Sequence, residues 1–346
     1  MVEFAYGGNS VVSHFGAVRN PWNVAHVTGG SSSGSAAAVA AGLCYGALGS
    51  DTAGSVRQPA AMCGVVGLKP TFGLVSNRGV IPLSWSCDHV GPLTRTVEDN
   101  ALLLQVIAGY DPADTSSVRM NIPDYRSALR NRISALRVGI PRDIFFKDLD
   151  SDVDAATRNA LTVIEKMVAS VRDVVLPSPE DPESVRVAVR AAEAYTYHYD
   201  WANKTPELYQ PETLFRVQSG ASVTTPAYIQ GRRELALARR AIGQTFDTVD
   251  VLVTPTSAVL PPTIADSTTD VRTSLQQGVI RIRNTSPFNT YGIPTVSVPC
   301  GFSSTGLPIG LQISARNGAE ETVLQLASAY EHATDWHGRT PDIGRI

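Results

Sequence analysis

Two short loops rich in serine and glycine constrain this chain more than any other feature. Residues 29–35 read GGSSSGS and residues 49–55 read GSDTAGS. Glycine permits tight turns and close backbone approach, and each loop ends in a serine. A serine hydroxyl attacks a carbonyl carbon when the backbone presents it sharply, a base lies within hydrogen-bond reach and N–H groups face the developing oxyanion. The two loops therefore predict a nucleophilic serine site.

A flexible linker and a phosphate-binding loop fit the two segments less well. A Gly/Ser linker would not run directly into the helix-forming segment AAAVAA at 36–41. A phosphate-binding loop of the Walker type needs Gly-Lys-Ser or Gly-Lys-Thr, and neither loop contains a lysine. We therefore prefer the catalytic interpretation.

The loops and several later segments resemble the amidase signature family. The family pattern consists of GGSSGGS, GSDTGGSIRxPA and GLKPT, and the matching segments here are 29–35, 49–60 and 67–71. The similarity continues through DHVGPLTRTVED, NTYGIPT and GLPIGLQ, at 88–99, 289–295 and 306–312. The resemblance implies an α/β fold in which a central mixed β-sheet is flanked by helices on both faces. Alternating helix and strand signals along the chain independently favour the α/β class.

The resemblance also implies a single domain over 1–346 that lacks its N-terminal part. Its shared core is expected at about 1–120 and 246–346, with a variable, mostly helical region at about 121–245. Residue patterns predict helices at 35–44, 54–63, 96–108, 152–168, 184–201, 227–246 and 320–334. They predict strands at 136–140, 250–254, 295–299 and 309–313, the last two paired, and a mobile loop at 261–277.

The resemblance assigns roles to residues of both loops. Ser55 would be the nucleophile, and Ser31 the bridging serine, whose preceding peptide bond is cis in the family. The oxyanion hole would be formed by the backbone N–H groups of Thr52, Ala53, Gly54 and Ser55. Position 53 is alanine where the family most often has glycine. Because a methyl group leaves the N–H in place, we expect a narrower pocket.

The base of the family is a lysine on a strand upstream of the first loop. All lysines of this chain follow Ser31: Lys69, Lys147, Lys166 and Lys204. The catalytic lysine is thus absent from this chain, and the opening MVEFAYG resembles the family segment that follows the lysine strand. We therefore expect a family member without its N-terminal part. Lys69 is a weak substitute because it already belongs to the GLKPT motif.

A histidine-based triad is the rival chemistry. His89 follows Asp88 and is the histidine nearest in sequence to the loops, but both belong to a structural stretch of the family. Neither loop contains the Gly-x-Ser-x-Gly elbow of the triad hydrolases. Asp51 and Arg57 flank the second loop, and we interpret them as a pair that braces it, since buried charges are usually paired.

Composition narrows the functional class. A net charge of −3 argues against a protein that binds nucleic acid or membrane surfaces by charge alone. The four cysteines have no metal-binding spacing, and we interpret them as small buried thiols. No apolar stretch approaches the length of a membrane span. We expect a cytoplasmic enzyme with no metal or organic cofactor and no nucleic-acid or membrane partner, and homo-oligomer formation stays open.

The function implied is hydrolysis of a small-molecule carboxylic amide, through a seryl acyl-enzyme, to an acid and ammonia or an amine. One alternative is the glutaminase subunit of a tRNA-dependent amidotransferase, ranked second because 191–233 does not resemble that protein. Another is a catalytically impaired fragment without the lysine. Alternating aromatics at 195–201 could line an acyl pocket, although they cannot all share one helix face. The sequence does not indicate which amide is hydrolysed.

Overall fold

The structure, a computed structural model, describes residues 1–177, 188–267 and 278–345. The strands are β1 (Arg19–Asn20), β2 (Asn23–Val27), β3 (Gly46–Ser50), β4 (Val66–Lys69), β5 (Val90–Thr94), β6 (Arg137–Ile140), β7 (Ser170–Asp173), β8 (Val251–Pro255), β9 (Thr295–Phe302) and β10 (Pro308–Ala315). The α-helices are α1 (Ser33–Ala40), α2 (Arg57–Cys63), α3 (Val97–Ile107), α4 (Tyr125–Ala128), α5 (Ser151–Glu165), α6 (Arg190–Lys204), α7 (Pro211–Ser219), α8 (Thr225–Ala241), α9 (Ile264–Ser267), α10 (Ser286–Tyr291) and α11 (Glu320–His332).

A large mixed sheet organises the fold. Its strand order is β3-β5-β4-β9-β10-β8-β6-β7. Neighbours from β3 to β8 pair antiparallel, whereas β6 pairs parallel with both β8 and β7. The predicted pairing of the last two strands is confirmed as the β9–β10 hairpin, in which Leu311 lies opposite Val298. β1 and β2 form a separate two-stranded sheet.

Helices cover both faces of the large sheet. A Cβ on Gly310 would lie 2.5 Å from the Cβ of Ala61, so the absence of a side chain lets α2 lie directly on this face. A Cβ on Gly67 would also collide with α2. Successive residues of a strand point to opposite faces, so Leu68 and Leu311 face the other side. There they join the main hydrophobic core with residues of α3, α5 and α11. The predicted α/β architecture is confirmed.

Most predicted elements are present with shifted ends. The helices predicted at 96–108, 152–168 and 320–334 are α3, α5 and α11. α3 begins where expected because the Thr96 hydroxyl accepts a hydrogen bond from the backbone N–H of Asp99 at 3.1 Å. α1 ends at Ala40, four residues earlier than predicted.

Two predictions fall partly outside the described residues. The helix predicted at 184–201 is seen from 190 as α6 and continues to Lys204. The loop predicted at 261–277 contains the short helix α9, and 268–277 lie outside the described residues. The region 121–245 contains the helices α4 to α8 and also contributes β6, at the strand predicted for 136–140, and β7 to the large sheet. In the described ranges no helix has the length and apolar character needed to cross a membrane.

Candidate active site

The second serine loop, between β3 and α2, is built around a buried carboxylate. Asp51 Oδ1 accepts a hydrogen bond from the N–H of Gly54 at 2.7 Å, and Oδ2 accepts one from the N–H of Val56 at 3.1 Å. The Arg57 guanidinium adds two more, Nε to Oδ2 and Nη2 to Oδ1, both at 3.0 Å. Both side chains are fully buried. The predicted bracing pair is confirmed, and it fixes the backbone on both sides of Ser55.

The same guanidinium connects the loop to distant elements. Arg57 Nη1 donates to Gln312 Oε1 of β10 at 2.7 Å and to the Thr285 carbonyl at 3.0 Å, while Nη2 donates to Asn289 Oδ1 of α10 at 2.6 Å. Burial acts to raise the pKa of Asp51, but the charge and hydrogen bonds of Arg57 outweigh it and hold that pKa well below its usual range. The pair therefore stays ionised.

The first serine loop contacts the second. The Gly30–Ser31 peptide bond is cis. The N–H of Ser32 donates to the Ser55 carbonyl at 3.2 Å, and the N–H of Gly30 donates to Gln58 Oε1 of α2 at 3.2 Å. Ser31 is fully buried, and its hydroxyl has no hydrogen-bond partner among the described residues. The two loops are thus in direct contact, and the first one carries a buried hydroxyl without a described partner.

Three of the four predicted oxyanion donors remain available. The N–H groups of Thr52, Ala53 and Ser55 make no hydrogen bond to any other described residue. The N–H of Gly54 is donated to Asp51 Oδ1, so its predicted place in the oxyanion hole, which stays a prediction, has a competing acceptor. A buried carboxylate is a strong acceptor and would have to be displaced before that N–H could bind a ligand.

A cavity of about 310 Å³ opens at the second loop. Its described lining includes Ser55, Ala53 and Thr52 from the loop, residues 5–8, and parts of α6, α7 and 278–282. The charged side chains of this lining are two arginines, Arg190 and Arg216. The predicted nucleophile and two available N–H groups beside it therefore share one small cavity with positive charge.

The Amidase family profile matches residues 1–324. The chain belongs to the amidase family. It is 38% identical over 367 residues to a glutamyl-tRNA(Gln) amidotransferase A-type subunit from Moorella thermoacetica, covering 99% of this chain and 74% of that protein. Hydrolysis of amide C–N bonds is the activity of the family to which the chain belongs.

Solved structures agree with this family assignment. A 6-aminohexanoate cyclic dimer hydrolase complexed with substrate superposes with a TM-score of 0.89 at 31% identity, over 99% of this chain and 75% of that one. A chain from an inhibitor-bound vestigial protein complex, described as revealing the evolutionary origins of an s-triazine catabolic enzyme, gives a TM-score of 0.88 at 31% identity, over 99% of this chain and 73% of that one.

Neither rival base contacts the loop serines of this amidase. Lys69 is fully buried, and its Nζ donates to the carbonyls of Pro70 at 3.0 Å and Ile293 at 2.6 Å. Burial, helped by the nearby Arg57, lowers the pKa of that amine well below its usual value. His89 Nδ1 donates to the Cys87 carbonyl at 2.7 Å. The contacts of Lys69 and His89 support structural roles for both.

Sequence reasoning missed Asp88 as part of the site. Asp88 Oδ1 accepts from the Thr52 hydroxyl at 2.5 Å, and Oδ2 accepts from the N–H groups of Leu83 and Ser84, both at 2.9 Å. Burial raises the pKa of Asp88 to about 6, against the opposing effect of these hydrogen bonds. Asp88, which is not part of the second serine loop, therefore helps to hold that loop in position through Thr52. The sequence feature that could have indicated this role is the position of Asp88 at the start of the 88–99 motif.

The aromatic run at 195–201 lies elsewhere. Tyr199 and Trp201 are 54% and 53% exposed, in agreement with the prediction that part of this run faces solvent. Tyr195 and Tyr197 pack edge-on or tilted against these two, and none of the four lines the cavity described above. Over the described ranges no group of three His, Cys, Asp or Glu side chains could hold a metal ion.

Proposed function

We propose that this amidase cleaves the C–N bond of a small carboxylic amide through an acyl-enzyme on Ser55. The observation that carries the proposal is the position of Ser55 in the cavity, beside the available N–H groups of Ala53 and Thr52. In the first step Ser55 Oγ bonds to the carbonyl carbon, and the carbonyl oxygen takes the negative charge within reach of those N–H groups. The buried Asp51–Arg57 pair keeps the donors in place.

Ser31 is proposed to carry the protons. Ser31 precedes Ser32, whose N–H donates to the Ser55 carbonyl, and the Ser31 hydroxyl is buried without a described partner. It is therefore available to accept a proton from Ser55 and to donate one to the leaving nitrogen. The C–N bond then breaks, and ammonia or an amine departs. Water adds to the seryl ester, Ser55 regains its proton, and the carboxylic acid leaves. The hydrogen bonds of Lys69 go to the carbonyls of Pro70 and Ile293, so the proposed proton relay does not include Lys69.

The test is the intact mass of the full chain after exposure to a fluorophosphonate, together with ammonia release from a panel of amides. We expect one adduct, lost in Ser55→Ala and kept in Ser35→Ala. Ser35 is a suitable control because its hydroxyl donates to the Leu48 carbonyl at 2.8 Å and it does not line the cavity. No adduct, or an adduct that persists in Ser55→Ala, would contradict the assignment of Ser55.

The second candidate is the glutaminase component of an amidotransferase, favoured by the 38% identity to the Moorella protein. Glutamine carries an ammonium as well as a carboxylate, and a buried ammonium needs an acidic partner. The described residues that line the cavity include two arginines but no aspartate or glutamate. We therefore rank this function second. Glutamate release from glutamine, together with co-purification of a partner chain, would reverse the ranking.

A further inference from the structure

One arginine of the cavity lacks an anionic partner among the described residues. Arg190, the first residue of α6, is only 6% exposed. Its Nη1 and Nη2 both donate to the Ser286 hydroxyl at 3.0 Å, and its Nε has no hydrogen-bond partner in the described part of the chain. A guanidinium has five N–H donors and stays charged in proteins, so one neutral hydroxyl leaves both its charge and most of its donors unsatisfied. A buried charge of this kind normally has a counterion.

The other arginine of the cavity has a carboxylate partner. Arg216 Nη2 lies 2.7 Å from Glu212 Oε1, one helical turn earlier in α7, and each side chain is 14% exposed. Arg216 Nε donates to the same oxygen at 3.0 Å. Among the described lining residues, Arg190 is therefore the arginine for which no carboxylate partner is seen.

Arg190 is also tied to the loop of the nucleophile. Its partner Ser286 follows Thr285, whose hydroxyl donates to the Ala53 carbonyl at 2.6 Å. The guanidinium is therefore held at a fixed position relative to the oxyanion loop, and both line the same cavity of about 310 Å³. A cavity of this size takes a small molecule that spans from Ser55 to Arg190.

We infer that Arg190 binds a carboxylate of the substrate, so that the amides hydrolysed at Ser55 are small ω-amides of dicarboxylic acids. This inference rests on the proposed function of Ser55. The planar guanidinium and a carboxylate form paired, charge-assisted hydrogen bonds, which neutral amides cannot match. The cavity has no described acidic lining residue, and a substrate that carries a carboxylate without an ammonium fits this charge pattern.

The test measures binding rather than turnover. In a Ser55→Ala background, isothermal titration calorimetry gives the Kd of the monoamides of malonate, succinate and glutarate, each paired with its neutral diamide. We expect at least one monoamide to bind about tenfold more tightly than its diamide, a typical effect of a charge-assisted hydrogen bond. Arg190→Gln should remove this preference and leave the Kd of the diamide unchanged, whereas Arg190→Lys should retain part of it.

Two further variants separate charge from packing. Ser286→Ala removes the hydroxyl that holds the Arg190 guanidinium but not its charge, so the preference should be reduced but not lost. Arg126→Gln, in an exposed pair with Glu98, should behave like the parent. The inference would be overturned if each monoamide and its diamide bound Ser55→Ala with the same Kd. It would also be overturned if Arg190→Gln weakened the binding of the monoamide and of the diamide equally. Because Ser55 is absent from the binding assay, failure of the fluorophosphonate test would count against the proposed function only.

Discussion

At the scale of single residues, the catalytic loop depends on the ion pair between Asp51 and Arg57. Both side chains are fully buried, and each makes hydrogen bonds beyond the pair itself. Removing one member of a buried pair leaves the other charged and uncompensated, which typically costs about 3–5 kcal/mol. The pair is therefore a constraint on stability as well as on the geometry of Ser55.

We predict that Asp51→Asn lowers the free energy of unfolding by about 3–5 kcal/mol and sharply reduces fluorophosphonate labelling of Ser55. Urea unfolding and intact mass measure the two effects. The matched control is Asp173→Asn, which breaks the exposed pair with Arg142 and should cost less than about 1 kcal/mol. A similar cost for both variants would show that the buried pair contributes no more than a surface one.

Asp88 gives a prediction about pH. Its pKa is raised to about 6 in the folded protein by burial, whereas in an unfolded chain it is about 3.9. Between these values the folded state binds more protons, so this group stabilises the fold fully below about pH 4 and loses that contribution as the pH rises through about 6. The contribution amounts to roughly 3 kcal/mol.

Asp88→Asn should abolish this part of the pH dependence. An amide can keep the hydrogen bonds to Thr52, Leu83 and Ser84, because its oxygen accepts from the two N–H groups and its nitrogen can donate to the hydroxyl. The measurement is the difference in unfolding free energy between parent and variant from pH 4 to pH 7. A difference that does not change with pH would show that Asp88 titrates normally.

At the scale of elements, α10 closes over the nucleophile loop. A Cβ on Gly54 would lie 2.1 Å from Thr285 Oγ1, and Gly54 has a φ of +132°. Gly54 thus allows the start of α10 to contact the loop that carries Ser55. A side chain at position 54 is therefore disfavoured twice, by steric overlap with Thr285 and by the positive φ.

Gly54→Ala should therefore destabilise the protein by roughly 2–5 kcal/mol, from the overlap and the unfavourable φ together, and reduce labelling of Ser55 at least about tenfold. The control is Gly306→Ala, at a φ of +81° with nothing within 4 Å of the added Cβ. It should cost about 1–2 kcal/mol from the backbone alone and leave labelling unchanged. Equal labelling in both variants would show that α10 does not constrain the loop.

Local elements were predictable where local chemistry determines them. Thr96 with Glu98 and Asp99 indicated the start of α3, and two strand-like segments on either side of the turn region 301–308 indicated the β9–β10 hairpin. The family motifs placed the two loops together. Contacts such as Arg57 to Gln312 join residues 255 positions apart, and no local pattern encodes them. For the same reason the sequence did not reveal that Arg190 reaches Ser286, 96 positions away. The acceptance of the Gly54 N–H by Asp51, only three positions away, was missed because the resemblance assigned that N–H to the oxyanion hole.

At the scale of the whole molecule, the reactivity of the cysteine thiols measures how well the core is shielded from solvent. Cys63, Cys87 and Cys300 are buried, and Cys44 is partly exposed. Burial raises the pKa of the Cys63 and Cys300 thiols, which suppresses the reactive thiolate. These residues lie in different places: Cys63 at the end of α2, Cys87 beside α8, and Cys300 within β9. The protection of these three thiols from a reagent therefore tests the packing on both faces of the sheet. It also tests the contact between the helical region and the loop before β5.

We predict that 5,5′-dithiobis(2-nitrobenzoate) reacts rapidly with one thiol of the native chain and with all four after unfolding in guanidinium chloride. The rapid phase should disappear in Cys44→Ser, since the other three require the core to open before the reagent can reach them. A second rapid thiol in the native protein would contradict the closed packing described here. Its identity, found by peptide mapping, would show which face opens: α2 for Cys63, the helical region for Cys87, or α5 and α11 for Cys300.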